Sequence, residues 1–121
     1  MTKVLLPITS HRDRLKFAQE GASVSCFRVL LRVDFFKKLP YKMSISNSEI
    51  LFEPTEQSRL SFSVRADRVK KIFLYRGSLS ELEIQTHDGS ILADFESSEI
   101  ADQAAFVLKT VFNEKFTVFF L

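Results

Sequence analysis

Cys26, His11 and His87 are the residues that would carry nucleophilic chemistry if this chain performed any. A thiol activated by an imidazole needs both groups within hydrogen-bond reach, and a stabilised thiolate needs an exposed elbow or a helix N-terminus. Cys26 falls instead inside the alternating run SVSCFRVLLRVDFF, where a small, partly buried strand residue is expected. His87 and Asp88 precede Gly89, and an Asp-Gly hairpin turn accounts for them without a metal. A zinc site would need further ligands at short spacing, and none accompany them. Glu81, Glu83, Asp94 and Glu96 occupy alternate strand positions, so they share a solvent face. Pairing with Lys or Arg across strands is their expected use, and an acidic patch for a basic protein partner is the other. No Gly-rich phosphate loop, nucleophile elbow or zinc-protease helix motif occurs, and three glycines leave little to build one. The chain is expected to be non-enzymatic, with no cofactor, no metal and no small-molecule substrate.

What remains is contact chemistry, and the sequence offers it in three places. The loop DFFKKLPYK sets Lys37, Lys38 and Lys42 beside Phe35, Phe36 and Tyr41. Aromatics beside lysines suit a membrane interface or nucleobases, whereas an ordinary strand end would send Phe35 into the core in the register of Val29, Leu31 and Val33. The stretch VRADRVKKIFLYRG adds Arg65, Arg68, Lys70, Lys71 and Arg76. With Lys37, Lys38 and Lys42, the residues Arg65, Arg68 and Lys70 form a candidate surface for nucleic acid or an anionic membrane. In register, however, Ile72 and Leu74 face the core, while Lys71, Phe73 and Tyr75 share the opposite face. Two aromatics beside a lysine fit a protein contact better than a phosphate cradle. The third place is the tail FTVFFL, with Phe116, Val118, Phe119 and Phe120. An apolar run of that kind needs cover. It could pair with the N-terminal KVLLPI, with a second copy as a homodimer, or with a partner chain.

Composition sets bounds on all three. At 121 residues the chain is one domain, with 45% hydrophobic and 26% charged residues. A domain of this size buries roughly two-thirds of the surface its unfolded chain exposes. A net charge of +2 is too small to mark a nucleic-acid binder by itself. The single cysteine excludes an internal disulfide and favours an intracellular compartment, cytoplasmic or nuclear. No apolar run reaches the roughly 18 residues of a membrane-spanning helix, and the N-terminus lacks a secretory h-region. Thirteen Phe and no Trp point to a core built largely of phenyl rings.

The elements that must position these residues follow from period. Residues 1–22 form an N-terminal extension with a short helix over 10–20, Ser10 as its N-cap and Gly21 at its end. Residues 23–96 alternate with period two, broken at KKLPYK because Pro40 cannot donate to a ladder. Asn47-Ser48, Gly77-Ser78 and His87–Ser90 read as turns. Residues 97–115 switch to period 3.6, with Ser97 or Ser98 as N-cap and Ile100, Ala104, Val107, Leu108 and Val111 as the apolar stripe. Residues 116–121 are the tail.

This order resembles a pleckstrin-homology (PH)-like domain, with the most specific match between residue 49 and about residue 112. Val69, Ile72, Leu74, Arg76 and Gly77, followed by Leu82, Glu83, Ile84, Thr86 and Gly89, are similar to a run in the PH-like domains of histone chaperones of the FACT type. The resemblance implies a mainly β fold: a bent seven-stranded antiparallel sandwich or barrel capped by a C-terminal amphipathic helix. It also implies a protein-binding adaptor or subunit, with histones as partners in the best-known cases. Many PH domains carry a tryptophan in the closing helix; here Phe106 or Phe112 would take that space. The Lys/Arg-x-Arg of phosphoinositide-binding PH domains is missing, since Met43 and Ser44 follow Lys42.

Overall fold

A computed structural model describes residues 24–56 and 59–121. The helix expected over 10–20, His11 and the KVLLPI segment lie outside the described residues. Among the described residues eight strands form one sheet: β1 (Ser25–Asp34), β2 (Lys37–Ile45), β3 (Glu49–Pro54), β4 (Phe62–Arg65), β5 (Val69–Arg76), β6 (Ser80–Thr86), β7 (Gly89–Phe95) and β8 (Phe116–Phe120). Their order is β4-β3-β2-β1-β7-β6-β5-β8. Every neighbouring pair is antiparallel except β5 and β8, which run parallel. The helix α1 (Ser98–Phe112) lies between β7 and β8 in the chain. It supplies the crossover that a parallel pair requires. Seven strands follow the expected sequence order, and the tail adds an eighth at the edge.

Alternation is what makes the strands. In β1, Phe27, Val29 and Leu31 are buried while Cys26, Arg28 and Arg32 are exposed. Ile72 and Leu74 of β5 and Leu82 and Ile84 of β6 are each 0% exposed, so the register read for VKKIFLYR is the observed one. A fully buried Leu or Ile contributes about 1.5–3 kcal/mol, which makes this four-residue patch a large part of what holds β5 and β6 together. The core is more aliphatic than the phenylalanine count predicts. Phe27, Phe52, Phe95, Phe112 and Phe116 are buried, but Phe35, Phe36, Phe106, Phe119 and Phe120 are exposed.

Three expectations need correction. The segment KKLPYK does not interrupt the sheet; it is the first part of β2. Pro40 pairs with Leu30 of β1, and its carbonyl accepts from Thr55 N on the β3 side. The missing donor therefore points past the end of the β2–β3 ladder, which starts only at Tyr41, and no bond to β1 is lost. Phe35 does not continue the buried register. A bulge between Arg32 and Asp34 breaks the phase, and Phe35 and Phe36 become the two residues of the β1–β2 turn, 81% and 93% exposed. Asp34 Oδ1 holds that turn by accepting from Phe36 N at 3.0 Å. The helix ends at Phe112 rather than residue 115, because Asn113 turns to φ +51° and a separate 3-10 turn, Asn113–Lys115, follows.

At its start α1 behaves as its sequence predicts. Ser97 caps it, its hydroxyl accepting from Ile100 N at 3.2 Å. The buried face is Ala101, Ala104, Leu108 and Phe112, with Ile100, Val107 and Val111 half-buried. The stripe is thus turned slightly from the expected one. Two alanines let the helix approach the sheet, and Phe112 rather than Phe106 fills the space at its end.

Candidate interaction surface

The residues singled out on β5 and in the tail come together. Parallel pairing sets Phe73 beside Thr117 and Tyr75 beside Phe119. The Tyr75 and Phe119 rings stack with centroids 5.6 Å apart, and Phe73 lies 5.6 Å from Phe119 and 6.3 Å from Tyr75. These three rings form an aromatic patch on the face of the sheet away from the core, with exposed Lys71 on the same face of β5. Phe116 and Val118 point the other way: Phe116 is buried and Val118 packs against the core. Phe120 has core-side parity but lies past the core's end and is 82% exposed. Of the seven tail and β5 residues expected to bind a partner, Phe116 and the half-buried Val118 therefore face the core side, and Lys71, Phe73, Tyr75, Phe119 and Phe120 are left to meet a partner.

A polar network fixes the patch from the β6 side. Tyr75 donates its hydroxyl proton to Glu83 Oε1 at 2.9 Å. Gln85 Nε2 donates to Glu83 Oε2 at 3.1 Å, and Ser90 Oγ to the same oxygen at 3.3 Å. The hydrogen bond to Glu83, then partial desolvation and the charges of Glu83 and Glu81, raise the Tyr75 pKa above 10.0. The other tyrosine, Tyr41, is raised by burial, with Arg59 working against it.

At the edge, β8 has β5 on one side and no strand on the other among the described residues. Leu121 N donates to Arg76 O at 2.7 Å, so the odd-numbered residues aim their backbone groups at β5. Successive residues alternate sides. The backbone groups of Phe116, Val118 and Phe120 therefore point outward, and of these Phe116 N is already taken by Asn113 O.

The basic residues are not gathered into one surface. Lys38 binds Asp94, Lys42 lies 3.4 Å from Glu53, Arg65 2.8 Å from Asp67 and Arg68 3.5 Å from Asp88. Lys37 sits at the β1–β2 turn and Lys70 near the start of β5, both exposed. An open cleft of about 1040 Å³ lies between β4 and the β6–β7 hairpin, lined by Ser63, Arg65, Arg68, Asp88 and Ser90. Its arginines carry their own carboxylates, so it presents both signs of charge.

The acidic row also has partners: Glu81 with Arg32 at 3.7 Å and Glu96 with Arg28 at 3.9 Å. Asp94, expected at the surface, is instead 8% exposed. Cys26, expected to be partly buried, is exposed, its sulfur 3.3 Å from Ser44 Oγ. His87 and Asp88 form the turn between β6 and β7, with Gly89 at φ +143°. Among the described residues no three His, Cys, Asp or Glu side chains are placed to hold a metal ion, and no helix is long and apolar enough to cross a membrane.

Sequence alone picked out Phe35 and Phe36 beside the lysines but missed that they stack, 4.7 Å apart, on the tip of a hairpin, and it missed the exposed Leu60. The signal was the two-residue spacing between strands, hidden because the lysines after it read as a break.

No protein-family model matches the chain, and no characterised protein matches it in sequence. Solved structures do match. One is a structure of the Spt16D–Pob3N heterodimer, with a TM-score of 0.64 and 16% identity, covering 81% of this chain and 54% of that one. This chain thus spans about half the length of that relative. The C-terminal domain of an unknown protein from Leishmania infantum matches with a TM-score of 0.61 and 18% identity over 84% of this chain and 94% of that one. The hSac2 domain of the human phosphoinositide phosphatase Sac2 matches with a TM-score of 0.54 and 7% identity over 93% and 90%. These likenesses, with the largely antiparallel sheet and the C-terminal helix packed on it, make this a PH-like fold.

Proposed function

We propose that the chain is a noncatalytic PH-like module that binds protein through the outer face of β5 and β8. One observation carries the reading. Among the described residues β8 is an edge strand with outward-pointing backbone groups, and it borders an aromatic patch of Phe73, Tyr75 and Phe119 in which Glu83 holds the Tyr75 ring in place. Aromatic anchors beside a free edge suit strand addition: the backbone supplies affinity and the rings supply selectivity. A solved relative that is itself a heterodimer supports a protein partner. An adaptor or subunit role inside the cell, in a chromatin-associated assembly among others, falls within this reading.

Electrostatic binding of nucleic acid or an anionic membrane has less behind it, since Lys38, Lys42, Arg65 and Arg68 each have a carboxylate partner. The test compares the full chain with the double variant Tyr75→Ser/Phe119→Ser as bait in cell extract, at low and moderate salt. The protein-binding reading expects a partner retained at both salts by the wild type and lost by the variant. Retention that ignores the substitutions and collapses with salt would favour the electrostatic alternative.

A further inference from the structure

We infer that β8 pairs with β8 of a second copy, antiparallel about a two-fold axis at Phe119. This rests on the interaction surface proposed above and names its occupant. The strand and its extension, Phe116 to Leu121, contain no charged residue. Edge strands that avoid pairing usually carry charge, a bulge or proline, and this strand lies against its own copy without like-charge contact.

The backbone groups of β8 that have no partner among the described residues limit the register. Outward-facing Phe116, Val118 and Phe120 must oppose outward-facing residues, and Phe116 N is occupied. Centring on Phe119 sets Val118 opposite Phe120 of the partner subunit, and each such pair exchanges two hydrogen bonds. The same register pairs each exposed apolar residue. Phe119 meets its own counterpart at a close, non-hydrogen-bonded position, Phe120 meets Val118, and Leu121 meets Thr117. Tyr75, Phe119 and their two counterparts become one continuous aromatic row. A register centred on Val118 forms as many backbone bonds but sets Phe119 against Thr117 and leaves Leu121 without a cross-strand partner.

Phe119 is 42% and Phe120 82% exposed, so the two rings would bury on the order of 250 Å² per copy. With Leu121 and the strand edges, the total for two copies reaches about 1,000 Å², the low end for a specific interface. The dimer is therefore weak and nearly independent of salt.

Sedimentation of the full chain over a broad concentration range, with Phe119→Lys and Phe119→Glu variants, tests this. The wild type is expected to dimerise. Each variant alone sets like charges face to face and should stay monomeric. An equimolar mixture of the two should regain a heterodimer at least ten-fold tighter than either variant alone, which also shows that both are folded. On a Cys26→Ser background, Phe119→Cys should oxidise to a disulfide dimer, and Thr117→Cys, facing Leu121, should not. A strictly monomeric wild type, variants that associate as well as wild type, or a mixture no tighter than its components overturns the two-fold pairing. A monomer that still binds another protein through Tyr75 and Phe119 overturns only the self-pairing and leaves the interaction surface standing.

Discussion

Replacing Lys38 with Met should destabilise the fold by about 2 kcal/mol. Lys38 reaches from β2 across β1 to Asp94 on β7, and the two side chains are 37% and 11% exposed. Breaking a fully buried pair costs about 3–5 kcal/mol, and an exposed pair is worth about 0–1 kcal/mol. This pair falls between, because its carboxylate is nearly covered while its ammonium is partly solvated. Two features raise the cost above a surface pair. Asp94 lies directly opposite Glu81, so the loss of Lys38 leaves neighbouring carboxylates with only Arg32 to balance them. Asp94 also sits in the short β1–β7 pairing, three residues long, that joins the two halves of the sheet. For a chain of 121 residues, 2 kcal/mol corresponds to a fall in melting temperature of roughly 6–12 °C. Urea unfolding followed by circular dichroism measures this without the ionic screening of guanidinium. Adding Asp94→Asn completes a double-mutant cycle, with an expected coupling of at least about 1 kcal/mol. A Lys38→Met variant within about 0.5 kcal/mol of wild type would refute the reasoning. Lys38 would then be an ordinary surface cation, free to serve an anion.

Tyr75 should ionise above the ordinary tyrosine value, since its fold favours the neutral, hydrogen-bonded form. Its contribution to stability is full below pH 10.0 and falls as the pH passes that value, where the unfolded chain ionises first. Tyrosinate absorbance on a Tyr41→Phe background should show a lower pKa after Glu83→Ala; an ordinary pKa with Glu83 intact would contradict the hydrogen bond. Ser97→Ala should cost about 1 kcal/mol through loss of the cap to Ile100 N, and an unchanged urea midpoint would mean the cap is idle. Phe35→Ser with Phe36→Ser should change stability by less than about 0.5 kcal/mol, as both rings stand in solvent. A loss of several kcal/mol would place them in the core after all.

Much of the fold was legible because the chain alternates so plainly. Ile72 and Leu74 against Phe73 and Tyr75, or Leu82 and Ile84 against Glu81 and Glu83, divide into two faces by period alone. Where period failed, a local event had reset it. The bulge near Val33 moved Phe35 from the core to a hairpin tip. Pro40 was read as a break because a sequence does not say which side of a strand its missing donor faces. The candidate surface was legible one strand at a time: β5 showed its aromatic face and the tail its apolar content. That the two lie side by side depends on a parallel crossover through α1, a long-range pairing that no local pattern encodes. Cross-strand pairing of the carboxylates with Lys or Arg was legible, but not which cation meets which carboxylate, since Lys38 and Asp94 are 56 positions apart.

The most direct test is site-specific photo-crosslinking in cells, with a photoreactive phenylalanine analogue placed in turn at Phe119 and at Phe36. The account predicts protein adducts from position 119, whether to a second copy or to another chain, and few from the equally aromatic and more exposed position 36. Adducts from position 36 with none from position 119, or adducts from 119 to lipid or nucleic acid alone, would contradict it.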